Sequence, residues 1–195
     1  MKNEIIELKY GNTNTFLIKG EYGNLLVDTD YAGTIQAFYK EIKRNNIRLS
    51  DITYVIATHY HPDHIGLISK LGINLLLIDS QVNYINFSDK IFYKDQFLNY
   101  EPIDINKATI IDINNSRDFL KSLGIAGEII STTSHSADSI SIILDNGHCI
   151  VGDLEPYEYL DAYDDNDELK NDWNKVFSYN PKIIYYSHNI KKEIK

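Results

Sequence analysis

The chain has 195 residues, 43% of them apolar, which suffices for one well-packed core but is too short for two comfortable domains, so we expect one domain over residues 1–195. A net charge of −9 leaves no basic stripe for a phosphate backbone, which argues against a nucleic-acid partner. The single cysteine, Cys149, excludes an internal disulfide and fits a cytoplasmic location, and the absence of a long apolar run argues against membrane insertion.

The first 80 residues are predicted to start with three strands and to continue with alternating helices and strands. Apolar alternation in "EIIELKY", "NTFLIKG" and "NLLVDTD" indicates the three strands, the last two joined by a turn. A helix follows, because apolar residues recur with the spacing of one helical face: Ile35, Phe38, Tyr39 and Ile42. Next come a strand in "ITYVIATH", a short helix ended by Gly72, and a strand in "INLLLIDS".

Residues 81–108 show no clean period, so the sequence predicts neither helix nor strand there. Their tyrosines and phenylalanines make this segment the candidate wall or lid of a substrate pocket. Beyond it the pattern predicts a strand in "ATIIDI", a helix capped by Ser116 and stopped by Gly124, and a strand in "GEIISTTSH". A hairpin turning at Asn146-Gly147, an amphipathic helix after a solvated acidic start at 161–172, and a strand in "KIIYYSHN" complete the order.

Several predicted strands end in residues that carry chemistry. Three of them end in Ser or Thr followed by a histidine, namely His59, His135 and His188. The hairpin that turns at Asn146-Gly147 ends in Asp153. In layered α/β folds, side chains just beyond the carboxyl ends of strands converge on a common crevice. We therefore expect these distant residues to meet at one rim of the sheets.

The segment "THYHPDHIG", residues 58–66, holds three of the six histidines. On an extended segment, His59, His61 and Asp63 point the same way, whereas His64 turns aside where a helix begins. One short loop therefore addresses two neighbouring points. Imidazole and carboxylate groups suit Zn²⁺ and also Fe and Mn, and three protein ligands with one open position are typical of catalytic metal sites.

Together with the other strand ends, this segment completes two ligand sets. We expect two divalent metal ions, with Zn²⁺ preferred and Fe or Mn as alternatives, and Asp153 as a bridging ligand. The first set is His59, His61 and His135, and the second is Asp63, His64 and His188.

These segments resemble the metallo-β-lactamase-fold hydrolase superfamily over essentially the whole chain. "THYHPDH" is similar to the H-x-H-x-D-H signature of that superfamily, and "LVDTD" resembles its early strand ending in an aspartate. "TTSHSADSISI", "VGDL" and "YSH" are similar to its second histidine segment, its bridging aspartate and its last ligand. The resemblance implies an α/β fold, a four-layer αββα sandwich of two mixed β-sheets flanked by helices.

The ligand sets and the resemblance together predict a metal-dependent hydrolase with a small-molecule substrate. Binding to a metal lowers the pKa of water from about 15.7 to about 7, so a bridging hydroxide would attack an ester, thioester, lactone or amide. Asp153 or Asp63 would orient this hydroxide and relay the proton to the leaving group. The hydroxyls of Tyr60 and Tyr157 are further candidates for contact with a substrate oxygen, although most of the chain's tyrosines are expected to fill core or surface positions.

Four further positions lie outside the ligand sets, and two of them have more than one interpretation. Asp28 and Asp30 are either turn formers or carboxylates that hold a ligand loop. Asp30 also stands where the superfamily usually has glycine, and Asn189 follows the last ligand where glycine is frequent. His148 has no partner in the pattern and is expected at the surface.

Two other functions are compatible with the same residues. The persulfide dioxygenase branch has a similar signature but uses one iron, here held by His59, His135 and Asp153. The third alternative is a non-catalytic metal-bearing sensor or binding module. Metal content separates the first two, and a broad substrate panel tests the third.

Overall fold

The computed structural model describes residues 3–92, 99–163 and 165–194, and within these ranges the strands form two mixed sheets. In the first sheet the strands lie side by side in chain order, β1 to β3 antiparallel and β3 to β6 parallel. Its strands are β1 (Ile5–Leu8), β2 (Thr15–Ile18), β3 (Asn24–Val27), β4 (Ile52–Ile56), β5 (Asn74–Ile78) and β6 (Thr109–Ile111).

The second sheet is formed by the later part of the chain. Its strands are β7 (Gly127–Ser131), β8 (Ile140–Leu144), β9 (His148–Ile150), β10 (Ile183–Tyr185) and β11 (Lys192–Glu193). Their spatial order is β11-β10-β9-β8-β7, with β9 and β10 parallel and the other pairs antiparallel. The expected hairpin at Asn146-Gly147 joins β8 and β9.

Helices cover the outer faces of both sheets, which confirms the predicted αββα sandwich. The described helices are α1 (Ile35–Arg44), α2 (Pro62–Ile65), α3 (Ile68–Leu71), α4 (Val82–Phe92), α5 (Ser116–Ser122) and α6 (Asp167–Ser178). None of the described helices is both long and apolar enough to cross a membrane.

Three apolar layers hold the sandwich together, and strand alternation assigns residues to them. In β3, Leu26 packs toward the helices of the first sheet, whereas Leu25 and Val27 pack between the sheets. The middle layer also receives Ile142 from β8. The third layer lies between the second sheet and α6, where Trp173 is 1% exposed. Each sheet therefore buries both faces, as its nearly continuous apolar strands require.

The element order in the first 80 residues and the helix stops at Gly72 and Gly124 are confirmed. Helix α4, in contrast, lies in the segment without a predicted element. Its inward side is partly polar: Ser88 and, in the turn before the helix, Gln81 are buried together with Ile85. These polar residues interrupt the apolar spacing, so periodicity does not reveal the helix. Residues 93–98 of the same segment lie outside the described residues.

The predicted N-cap role of Ser116 is wrong, and the side chain has a different task. Ser116 is the first residue of α5, and its Oγ accepts from the Ile129 N–H at 3.0 Å and contacts the Ile129 carbonyl at 3.4 Å. Strand β7 is an edge strand, so these backbone groups have no strand partner on that side. Lys175 similarly donates to the Ser131 carbonyl. Side chains thus satisfy the open edge of the second sheet.

We predict that Ser116→Ala lowers the free energy of unfolding by about 1–3 kcal/mol, because it leaves the buried Ile129 N–H without an acceptor. The matched control is Ser122→Ala, at an exposed serine of the same helix whose hydroxyl donates to the Phe119 carbonyl, with an expected effect within about 0.5 kcal/mol. Denaturant unfolding measures both. Equal losses in the two variants would contradict the role assigned to Ser116.

Candidate metal centre

The six residues of the two predicted ligand sets and Asp153 lie together at one rim of the sandwich, beyond the carboxyl ends of β4, β7, β9 and β10. The loop after β4 carries His59 and His61 and leads into the short helix α2, where Pro62 is the first residue and Asp63 and His64 follow. The extended segment therefore carries only His59 and His61, and the placement of Asp63 on it is wrong: Pro62 begins the helix one residue before Asp63, which places Asp63 with His64 on the helical turn.

The three histidines of the first set approach one another closely. His61 Nδ1 lies 2.9 Å from His59 Nε2 and 3.3 Å from His135 Nε2. Each residue offers one nitrogen to a common point, and these nitrogens all lie within 4.8 Å of one another. His59 is buried, whereas the His135 side chain is about one-third exposed, so the set opens toward solvent on the His135 side.

The ligand atoms of the second set lie equally close together. His188 Nε2 lies 3.1 Å from Asp63 Oδ2, and His64 Nε2 lies 3.8 Å from the same oxygen. One ligand atom from each of the three residues falls within 4.8 Å of the others. The structure therefore brings together residues that are 125 positions apart in the sequence.

Asp153 lies between the two sets. Its Oδ2 is 3.8 Å from His59 Nε2 and 3.7 Å from His135 Nε2 in the first set. It is also 3.4 Å from His64 Nε2, while Oδ1 is 3.3 Å from His188 Nε2, in the second set. A carboxylate in contact with both sets has the position expected of a bridging ligand.

The protonation of the cluster shows how strongly these charges interact. Burial alone would raise the pKa of Asp153, but contacts with His188 and His64 hold it well below its usual range. Contacts with Asp153 and Asp63 raise the pKa of His188 to about 10. Burial lowers the pKa of His59, and the neighbouring His64 adds to that effect. The cluster thus holds a carboxylate that favours its ionised form and imidazoles whose pKa values are shifted in opposite directions by their neighbours.

Two buried atoms indicate that the donor set fits a metal. His64 Nε2 and Asp153 Oδ1 are buried, and neither has a well-aligned hydrogen-bond partner among the described residues. Buried polar atoms are normally paired, and a cation at this point would supply the missing partner to both. Nitrogen and carboxylate oxygen donors suit Zn²⁺, Fe and Mn, so the residues present fit the metals that the sequence predicts.

Asp28 holds the ligand segments from behind. The residue is fully buried, and its carboxylate accepts from the Thr58 N–H at 2.6 Å, from the Thr58 hydroxyl at 2.9 Å and from the Ser187 hydroxyl at 3.2 Å. His64 Nδ1 lies 3.0 Å away and must donate, since a carboxylate only accepts. This bond leaves His64 Nε2 turned toward the cluster. Of the two interpretations of Asp28, the structure supports the one that holds a ligand loop.

The backbone at Gly152 packs closely against Thr58, one of the residues that Asp28 binds. Gly152, next to Asp153, has φ +60°, and a Cβ at this position would lie 2.7 Å from the Thr58 hydroxyl. The Gly152 carbonyl accepts from the Ser187 N–H at 3.0 Å. A larger residue at position 152 would push the Asp153 carboxylate away from Thr58 and Asp28.

Asp30 holds a different loop, which the sequence did not connect to the site. Its carboxylate accepts from the N–H groups of Asn12, Thr13 and Tyr31. The same loop reaches the second ligand set, because the Thr13 hydroxyl lies 3.4 Å from Asp63 Oδ2 and His188 Nδ1 lies 3.3 Å from the Asn12 carbonyl. Next to His188, the Asn189 backbone carbonyl accepts from the Asn14 side chain, a bond that glycine at position 189 would also allow. Of the two departures from the superfamily pattern, Asp30 is thus the one whose side chain holds this loop.

Sequence reasoning missed two buried carboxylates that position the first set. Asp138 accepts from the Tyr60 N–H at 2.7 Å, and Asp172 accepts from the Ser134 N–H at 2.8 Å, so both hold backbone next to ligands. The solvated interpretation of the acidic stretch is wrong for Asp172, which is 1% exposed. A signal was present, because residue 172 falls on the inward spacing of α6 with Leu169 and Trp173.

Three further residues lie as follows. Tyr60 is 1% exposed, and its buried hydroxyl has no hydrogen-bond partner among the described residues. The Tyr157 ring packs edge-on against Trp173 and Phe177. Contact of Tyr60 and Tyr157 with a substrate stays a prediction. His148 is half-buried rather than on the surface, with Nδ1 3.2 Å from the Tyr185 hydroxyl at the start of β9, away from the cluster.

Known proteins share this chain's family and fold. A model of the metallo-beta-lactamase superfamily matches residues 8–188. "Probable metallo-hydrolase MJ0888" of Methanocaldococcus jannaschii is 33% identical over 150 residues, which are 74% of this chain and 68% of that protein. Two solved structures share the fold: metallo-beta-lactamase family protein TTHA1429 from Thermus thermophilus (TM-score 0.71, 16% identity, 98% of this chain and 74% of that one) and TTHA1623 in a di-iron-bound form (0.69, 15%, 97% and 94%).

The family model spans the strands and loops that carry all seven clustered residues, from the first strand to His188. The sequence match and the observed αββα architecture agree. The chain therefore belongs to the metallo-beta-lactamase superfamily.

Proposed function

We propose that this protein is a binuclear metal-dependent hydrolase that cleaves an ester, thioester, lactone or amide bond of a small molecule. The observation that carries the proposal is the pair of three-residue ligand sets that meet at Asp153. Two sets with a carboxylate between them match a pair of divalent cations, and three protein ligands for each leave coordination positions open.

The residues of the cluster have distinct roles in such a reaction. Metals bound here would lower the pKa of a coordinated water and polarise the bond that is attacked. Asp63 and Asp153 both have lowered pKa values despite partial burial, because neighbouring histidines stabilise their ionised forms. Asp153, which contacts both ligand sets, or Asp63 would orient the attacking water and relay its proton to the leaving group.

The second ligand set favours hydrolysis over a single-iron oxygenase. One iron held by His59, His135 and Asp153 would leave Asp63, His64 and His188 without a cation. Several contacts nevertheless support the second set: Asp28 orients His64, and the loop held by Asp30 contacts Asp63 and His188. Such support is expected for residues that bind a metal.

Metal content provides the first test. Protein purified without added metal should contain about two divalent metal ions per chain by elemental mass spectrometry, since each ligand set holds one. Zinc is the expected metal, and two irons per chain would preserve the binuclear site with a different metal. A single iron per chain, unchanged after incubation with zinc or iron, would contradict the binuclear assignment and favour the oxygenase.

Ligand substitutions provide the second test. His135→Ala and Asp153→Ala should each lower kcat/KM on a hydrolysable ester, thioester or lactone at least about a hundredfold, since loss of a residue that merely supports a ligand already costs about 10- to 100-fold. The matched control is His148→Ala, which removes the histidine outside the cluster and should retain both metals and turnover. Undiminished turnover in the Asp153 variant would refute the proposal.

Asp28 provides a test of metal affinity that is independent of turnover. Asp28→Asn replaces an acceptor of four hydrogen bonds by a group that cannot accept them all, so His64 loses its orientation. We expect zinc affinity, measured by competition with a chelator, to fall about 10- to 100-fold. The control is Asp145→Asn at an exposed ion pair with Arg117. Equal affinities in the two variants would contradict the role of Asp28.

A further inference from the structure

A cavity of about 460 Å³ lies directly beside the first ligand set. His61 forms part of its wall, and the opposite wall comes from α4 with the exposed Asn83 and the half-buried Tyr84. Tyr60 adds a second aromatic residue. The size of the cavity falls within the range of small-molecule sites, and its contact with His61 places any occupant next to the candidate metals.

The wall of this cavity is preformed, because buried hydrogen bonds connect α4 to the metal-binding loop. The Ser88 hydroxyl donates to the Tyr60 carbonyl at 2.6 Å, and the Gln81 side chain donates to the Ala57 carbonyl at 3.2 Å. Gln81 also donates to the Asp138 carbonyl at 3.0 Å. These bonds fix the spacing between the helix and the ligand loop, so the shape of the cavity selects the group that enters it.

The polar groups of the cavity are not arranged to receive an anion. The hydroxyls of Ser88 and Ser136 already donate within the protein, to the Tyr60 carbonyl and to Asp138. Toward a ligand, these two hydroxyl oxygens therefore act as hydrogen-bond acceptors. Asp138 contributes a carboxylate to the same wall, and no lysine or arginine is among the described residues that line the cavity.

A second cavity beside the first ligand set has the same electrostatic character. A smaller cavity of about 180 Å³ adjoins His135 and Asp153. Glu155 and Asn166 also line it, and again none of its described lining residues is a lysine or arginine. A substrate that spans the cluster thus meets carboxylates on both sides of its reacting bond.

From these two cavities, and resting on the hydrolase function proposed above, we propose that the substrate class is uncharged esters or lactones with an apolar or aromatic group. That group occupies the cavity between α4 and His61, and the smaller part of the molecule lies beside His135. An anionic group remote from the reacting bond would lie close to Asp138 and would meet no lysine or arginine among the described residues that line the cavity. Substrates with a distal carboxylate or phosphate are accordingly selected against.

Two chromogenic esters isolate this effect. 4-Nitrophenyl hexanoate and mono(4-nitrophenyl) adipate share the leaving group and a six-carbon acyl chain, and they differ only in a terminal carboxylate. With zinc-loaded wild-type protein, and after subtraction of uncatalysed hydrolysis, kcat/KM for the hexanoate should exceed that for the adipate ester at least about tenfold.

Substitutions at the cavity wall locate the source of the preference. Asn83→Lys introduces a cation at the exposed edge of the cavity and should reduce the hexanoate-to-adipate ratio of kcat/KM by about tenfold, whereas Asn83→Asp should increase it. The matched control is Asn86→Lys, the same exchange at an exposed asparagine of the same helix that is not among the lining residues, and its ratio should equal that of wild type. Wild type and the three variants are assayed at equal zinc content, and thermal unfolding checks that their stabilities are equal.

The outcomes separate this inference from the function on which it rests. A wild-type preference for the hexanoate, reduced by Asn83→Lys and unchanged by Asn86→Lys, supports the proposal. Equal turnover of the two esters, a preference for the adipate, or equal ratios in the Asn83 and Asn86 variants overturns the substrate class while hydrolysis stands. No turnover of either ester, or of any thioester, lactone or amide tested, by protein with two bound metals overturns the hydrolase function and this inference together.

Discussion

The carboxylate of Asp28 is the contact on which the site depends, because it connects three segments that come from different parts of the chain. Asp28 follows β3, Thr58 follows β4 and Ser187 follows β10, so one side chain joins the rims of both sheets. The residue has φ +61°, a conformation that aspartate tolerates better than most residues. That backbone bend turns the carboxylate inward, where it accepts four hydrogen bonds in a fully buried position.

The ligands are positioned by a layer of buried polar groups rather than by the apolar core directly. Asp28 and the loop held by Asp30 support the second set, and Asp138 and Asp172 hold backbone beside the first. Gln81 connects the β4 end to the Asp138 segment. Each group is paired, so the desolvation cost of burying it is offset by hydrogen bonds, and the ligand geometry is set before any metal binds.

The sequence predicts the parts of the fold that follow one simple rule. Apolar alternation identifies the early strands, Asn146-Gly147 marks the hairpin, and the repeated Ser/Thr-His endings correctly bring distant ligands to one rim. The sequence does not predict helix α4, because the buried side of this helix carries hydrogen-bonding residues. It predicts Ser116 as a helix cap, although the Ser116 hydroxyl binds the edge strand β7 instead. Asp138 and Asp172 are acidic residues that tertiary contacts bury, and local patterns treat such residues as solvated.

The loop contact made by Asp30 links two positions that are 19 residues apart. A Cβ at Gly11 would lie 1.7 Å from Asp30 Oδ2, so no side chain fits at position 11 while the carboxylate keeps its bonds to Asn12 and Thr13. Among relatives of this chain, a residue larger than glycine at position 11 is compatible only with a smaller or differently placed residue at position 30. The two sites should therefore covary, and a lineage that exchanged Asp30 for glycine would be free to drift at position 11 and could not easily return.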